Sequence, residues 1–99
     1  MSAGELQETH TVSAKLMAGE EAEAIVDAIL LDDPDARVED HGAYVTIAAE
    51  RELAFEIPTI SETLGRAYDV QTFLVVLASY TGQIDVQDER VVITEMLAS

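Results

Sequence analysis

The residues in this 99-residue chain that could do acid–base or metal chemistry are its 20 carboxylates and two histidines, and there is no cysteine to add a thiolate. A carboxylate-bridged metal site pairs a Glu with a His three residues on, so that both project from one helix face, and no Glu-x-x-His occurs. Glu20, Glu21, Glu23 and Asp27 lack the spacing and the glycine of a calcium loop and read as a hydrated helix face. His10 follows a polar stretch and His41 sits between Asp40 and Gly42, so both read as solvated strand-edge or turn histidines. Neighbouring strand residues point to opposite faces, which separates His41 from Asp40 as a catalytic pair. Adjacent carboxylates such as Glu39 with Asp40, or Asp32 with Asp33, read as solvated surface. Ser13, Ser61 and Ser79 lack the G-x-S-x-G elbow. The glycines at 4, 19, 42, 65 and 82 never cluster into a phosphate-cradling loop. The chain therefore carries no catalytic constellation of its own, and no cofactor or metal is expected.

The charge narrows the classes further. Lys15, Arg37, Arg51, Arg66 and Arg90 are the only strong cations against a net charge of −15, and they are scattered. A nucleic-acid binder needs a cationic footprint to displace counterions from phosphates, and an anionic membrane surface makes the same demand. Apolar runs fall far short of the ~20 residues that span a bilayer, and the first residues lack the basic and apolar regions of a signal peptide. A cytoplasmic location is the expectation. At 48% apolar residues the composition is nevertheless that of a globular domain. Tyr44, Tyr68 and Tyr80 near turns or strand surfaces supply aromatic anchors of the kind interfaces use. So strong a negative charge would steer the domain onto a basic partner.

Periodicity supplies the elements that would position these side chains. Residues 1–9 read as a flexible arm. Val12, Ala14 and Leu16 then alternate with polar residues, the signature of a half-buried strand. From Gly19 to Leu31, Ala22, Ile25, Val26, Ile29 and Leu30 form one helical stripe, with Glu20, Glu21 and Glu23 at its dipole-favoured start. Asp33-Pro34 ends it. Val45 with Ile47, and Leu53 with Phe55 and Ile57, alternate as two more strands around turns at 40–42 and 50–52. A short helix follows from Pro58 or Thr59 to Leu64, with Gly65 as its left-handed cap. Asp69 to Thr72 reads as a turn or helical turn. Phe73 to Ala78 is a continuous apolar run that reads as a strand buried on both faces, and Ile84 with Val86 and Val91 with Ile93 give two more. The expected fold is α+β: a single compact domain, with an antiparallel or mixed sheet of six to seven strands and two to three helices, over residues 10–94, followed by a tail over 95–99.

In their order and spacing, several pieces resemble the small coupling, or effector, proteins of bacterial soluble diiron monooxygenases, the family of methane monooxygenase regulatory protein B and the phenol hydroxylase coupling protein. They are Gly19-Glu20-Glu21-Ala22-Glu23-Ala24-Ile25-Val26-Asp27-Ala28-Ile29, Asp33-Pro34, Val38-Glu39-Asp40-His41-Gly42-Ala43-Tyr44-Val45-Thr46-Ile47, Leu64-Gly65-Arg66 and Val75-Val76-Leu77-Ala78-Ser79-Tyr80-Thr81-Gly82-Gln83-Ile84. The resemblance implies a cofactor-free, non-catalytic protein that binds the α subunit of a diiron hydroxylase near its irons. There it would tune the active site and couple NADH oxidation to hydrocarbon hydroxylation or epoxidation, with functional interplay with an NADH reductase and a ferredoxin. It also implies a hydroxylase interface at Asp40, Gly42, Tyr44, Ser79, Tyr80, Thr81 and Gly82. The arm before His10 is short beside the ordering tail of the methane enzyme's effector, which favours an alkene, aromatic or propane system. The acidity then anticipates a basic docking groove on the larger enzyme, with association slowed by salt. The alternative, a small-ligand-binding regulatory domain of α+β type, would show metabolite-induced thermal stabilisation.

Overall fold

The computed structural model describes residues 10–96, so the arm expected over 1–9 and the last three residues of the expected tail lie outside the described residues. The elements run β1 (Thr11–Met17), α1 (Glu20–Asp32), β2 (Arg37–Asp40), β3 (Tyr44–Glu50), β4 (Glu52–Glu56), α2 (Ile57–Leu64), α3 (Val70–Val76), β5 (Leu77–Thr81), β6 (Gln83–Val86) and β7 (Arg90–Thr94). The fold is α+β, and every strand pair is antiparallel. The strands divide between a four-stranded sheet, β2-β3-β1-β5, and a three-stranded sheet, β4-β7-β6.

Local sequence explains most of this. Val12, Ala14 and Leu16 are buried on one face of β1, while Thr11, Ser13 and Lys15 are half-buried on the other. α1 buries Ala22, Ala24, Ile25, Ala28 and Ile29 and leaves Val26 and Leu30 on the flank. The stripe is thus turned toward the alanines, whose small side chains let the helix sit close to its neighbours. It ends at Asp33, whose N–H reaches the Ile29 carbonyl at 2.8 Å. α2 carries Pro58 in its first turn, where a missing N–H costs nothing, and closes at Gly65 with φ 77°.

One element differs from the sequence expectation. The run Phe73 to Ala78 is not a strand: residues 70–76 form α3, and only Leu77 onward is extended. Asp69 caps the helix, its Oδ1 accepting from the Thr72 N–H and hydroxyl, each at 2.8 Å. Val70, Phe73 and Val76 are buried at helical spacing, whereas Val75 is 70% exposed. Phe73 meets Phe55 of β4 at 4.9 Å between ring centroids, tilted by 42°, which joins α3 to the three-stranded sheet. A fully buried side chain of this kind stabilises the fold by ~1.5–3 kcal/mol.

The chain passes directly between the sheets at two corners. Arg51, at φ 73°, separates β3 from β4. Its N–H donates to the His10 carbonyl, and its own carbonyl accepts from the Glu95 N–H at 2.9 Å. The Glu95 carboxylate holds the Arg51 guanidinium at 3.0 Å and also the His10 Nδ1, tying the start of β1 to the end of β7. Gly82, at φ 127°, separates β5 from β6. A Cβ at that position would lie 2.6 Å from the Thr94 carbonyl, 2.9 Å from Ile93 Cγ2 and 3.2 Å from Val12 Cγ1.

Candidate functional site

Strand alternation sends the non-core side chains of the four-stranded sheet to one outer face. On β1 these are Ser13 and Lys15, on β3 Tyr44 and Thr46, on β2 Arg37 and Glu39, and on β5 Ser79 and Thr81. Register places them side by side: Lys15 lies opposite Thr46 and Ser79, Ser13 opposite Thr81, and Glu39 opposite Thr46. The β1–β5 pairing shifts register between Lys15 and Leu16, which lets Ser79 pair with Lys15 while Leu77 pairs with Leu16.

An aromatic stack stands at one end of this face. Lys15 Nζ lies 4.4 Å from the centroid of the Tyr44 ring, a cation–π contact, and the His41 ring stacks on Tyr44 at 4.8 Å and 27°. His41 Nε2 lies 3.2 Å from the Thr46 hydroxyl and 3.4 Å from a Glu39 carboxylate oxygen. Both contacts fall on the same ring nitrogen, so Glu39 does not orient the imidazole from the far side, as an activated hydroxyl nucleophile requires. At the other end Glu50 accepts from Thr11 at 3.4 Å and faces Arg37 at 3.8 Å. Lys15 and Arg37 therefore balance Glu39 and Glu50. In a chain of net charge −15 this face is close to neutral and rich in hydroxyls.

The predicted interface residues do not form one patch. Tyr44, Ser79 and Thr81 share the outer face. Tyr80 alternates away from it, opposite Ala14, and is 43% exposed on the edge strand β5. Asp40 lies opposite Val45 and so belongs to the other face. Its Oδ1 accepts the Gly42 N–H at 2.8 Å, forming the turn that holds Gly42 at φ 89°. Gly82 is the sheet corner, closely enclosed by backbone and side chains. Lys15, Ser13, Thr46 and His41 join the outer face although the sequence reading did not single them out for it. The β1 alternation that buries Val12, Ala14 and Leu16 carried the signal for two of them.

On the opposite side of the sheet, Ala22, Val26, Val38 and Val45 floor a groove of about 270 Å³ between α1 and β2, with Glu23, Asp27 and Asp40 on its rim. The strongest perturbations of acidity lie elsewhere. The Tyr68 phenol is pushed well above its ordinary value, first by burial and then by its 3.0 Å hydrogen bond to Glu21. Asp69 is held low by the Thr72 N–H and hydroxyl, and Glu95 is held low chiefly by His10, with Arg51 adding to it. Among the described residues no group of three or more His, Cys, Asp or Glu is arranged to hold a metal ion, and no helix is long and apolar enough to cross a membrane. The outer face offers hydroxyls for hydrogen bonding and an aromatic stack, which suit recognition of another macromolecule.

Comparison with known proteins identifies the family of the chain. The model of the MmoB/DmpM family matches residues 10–94. The chain is 42% identical over 72 residues to the stimulatory component DmpM of phenol 2-monooxygenase from Pseudomonas sp. strain CF600, covering 73% of this chain and 80% of that one. It is 32% identical over 98 residues to methane monooxygenase regulatory protein B of Methylococcus capsulatus, covering 93% of this chain and 70% of that one. It also superposes on a chain from the structure of a phenol hydroxylase–regulatory protein complex with a TM-score of 0.77 at 28% identity, covering 85% of this chain and 97% of that one.

Proposed function

Because the chain belongs to the MmoB/DmpM family, we propose that it is the cytoplasmic effector component of a multicomponent monooxygenase and acts by docking on the α subunit of a diiron hydroxylase. The observation that carries this reading is the structural likeness to a chain from a phenol hydroxylase–regulatory protein complex, across nearly all of that chain. Relatives are named stimulatory and regulatory components of monooxygenase systems. The chemistry of oxygen activation belongs to the hydroxylase, and electrons reach it from an NADH reductase, directly or through a ferredoxin.

The outer face of the four-stranded sheet is the docking surface in this reading, with Lys15 and Thr46 on its central strands, Tyr44 toward one end and Ser79 and Thr81 along the β5 edge. A preformed sheet face loses little conformational entropy on binding, so more of the contact energy remains to bias the partner. Activation requires that this energy be larger for the reactive hydroxylase conformation than for the resting one. Product formed per NADH consumed, measured with purified hydroxylase and reductase with and without the chain, tests the proposal. Both turnover and product yield should rise when the chain is added; equal rate and equal yield without it would overturn the reading.

A further inference from the structure

The predicted interface residues fall on two sides of one sheet, and the side bearing Asp40 has a geometry of its own. Among the described residues β2 is an outermost strand of its sheet, so one row of its backbone N–H and C=O groups has no neighbouring strand there. All of its residues are exposed. Natural edge strands are commonly blunted by charge, proline or a covering element. Here Arg37 and Glu39 point to the outer face, while the inner face of the edge presents Val38, 37% exposed, and Asp40. Those two residues open into the groove floored by Ala22, Val26 and Val45 and rimmed by Glu23 and Asp27. Among the described residues, neither Glu23 nor Asp27 has a salt-bridge partner, and no cation lines the groove.

We infer that the β2 edge and this groove together receive an extended segment of a partner protein that carries an aliphatic residue and, two positions away, a lysine or arginine. Added alongside β2, such a segment would complete the unpaired backbone row, the mode by which sheet edges recognise peptides. Residues two apart on a strand share a face. The aliphatic side chain would lie beside Val38 over the apolar floor, and the basic one would lie beside Asp40, facing Glu23 and Asp27. Opposite charges on neighbouring strands are favourable, and among the described residues no cation of this chain is paired with any of the three carboxylates. A second copy of this chain fits less well, because pairing through β2 would bring two sets of these carboxylates together. The inference stands apart from the docking proposal, since a chain that stimulated no hydroxylase could still bind this segment.

The test uses the full-length chain, labelled for NMR, and three ten-residue peptides. One alternates threonine with valine and arginine so that the last two share a face. The second has the same composition with valine and arginine an odd number of positions apart, and the third has glutamate for arginine. The first peptide should shift the amides of residues 37–40 and bind at least tenfold more tightly than either control. The double variant Glu23→Lys/Asp27→Lys, on the exposed face of α1, should weaken it at least tenfold while leaving the circular dichroism unchanged, and Val38→Lys should weaken it comparably. Equal affinity for all three peptides, shifts centred on Lys15 and Ser79, or undiminished binding to Val38→Lys would overturn the inference. So would a β2-mediated dimer of the free chain in sedimentation.

Discussion

Arg51 and Gly82 flank the same strand end: β7 closes between them, with the Glu95 N–H bonded to the Arg51 carbonyl on one side and the Thr94 carbonyl pressed toward Gly82 on the other. Each stands where a strand leaves the four-stranded sheet and the next enters the three-stranded one. The candidate docking face depends on this junction, because β5, which carries Ser79 and Thr81, runs straight into Gly82.

Replacing Gly82 with alanine should therefore be costly. The added Cβ would press on the Thr94 carbonyl and Ile93, and φ 127° is unfavourable for any side chain. A loss of about 2–4 kcal/mol is expected from overpacking and backbone strain together. Gly42→Ala is the control: its φ is also positive, at 89°, but a Cβ there meets nothing within 4 Å. Only the strain remains, about 1–2 kcal/mol. Urea denaturation of both variants distinguishes the two costs.

Acid should loosen the same junction. Glu95 has a folded-state acidity lowered by His10 and Arg51, so its contribution is present above the ordinary carboxylate range and disappears as the pH falls through its lowered folded-state value. Wild type should exceed Glu95→Gln in stability at neutral pH, and the gap should close in acid. A carboxyl-carbon NMR titration should show Glu95 moving back toward the ordinary value in His10→Ala. An unchanged titration would mean that the imidazole is not the main cause.

Tyr68 responds in the opposite direction. Its phenol is raised, so the neutral hydroxyl is the form the fold favours, and its contribution holds below the ordinary tyrosine value and fades as the pH rises above it. Tyr68→Phe should cost about 0.5–1.5 kcal/mol near neutral pH, the worth of one hydrogen bond, here the one to Glu21. Its stability should also vary less with pH above ~10, the ordinary tyrosine range. Thermal melts across that range provide the comparison.

Docking should separate steering from contact. The outer face balances Lys15 and Arg37 against Glu39 and Glu50, while the whole chain carries −15. Added salt should slow association with the proposed hydroxylase partner and leave dissociation nearly unchanged, because the net charge acts at long range and the proposed contact face is close to neutral. Ser79→Phe, beside Lys15 on the edge strand of the proposed docking face, should instead speed dissociation and lower stimulation about tenfold, equivalent to ~1.4 kcal/mol. Stopped-flow association kinetics at several ionic strengths resolve the two effects.

Much of this architecture was legible in the residues. The alternation at Val12, Ala14 and Leu16 gave β1 and its buried face, and Gly65 marked the end of α2. The failure at Phe73 to Ala78 has a physical reason: a short, wholly apolar run has no polar residues to reveal its period, so a buried helix and a buried strand look alike. The decisive signal lay just outside it, in the spacing of Asp69 and Thr72, which makes an N-cap. The site was legible only in part. Alternation placed Tyr44 opposite Val45, but which strands lie side by side is a matter of tertiary pairing. Only that pairing brings Lys15 beside Ser79, 64 positions along the chain, and sends Asp40 to the other side.

The two direct crossings make the halves of the chain interdependent. Cut at the exposed turn after Gly65, the chain would yield one piece holding β1 to β4 and another holding β5 to β7. The four-stranded sheet would then lack its last strand, and the three-stranded sheet would lack β4. Each fragment carries the strand that completes the other's sheet. Neither should fold alone, yet mixed together they should reassemble by mutual strand donation, a split protein whose candidate docking face exists only once both parts have met.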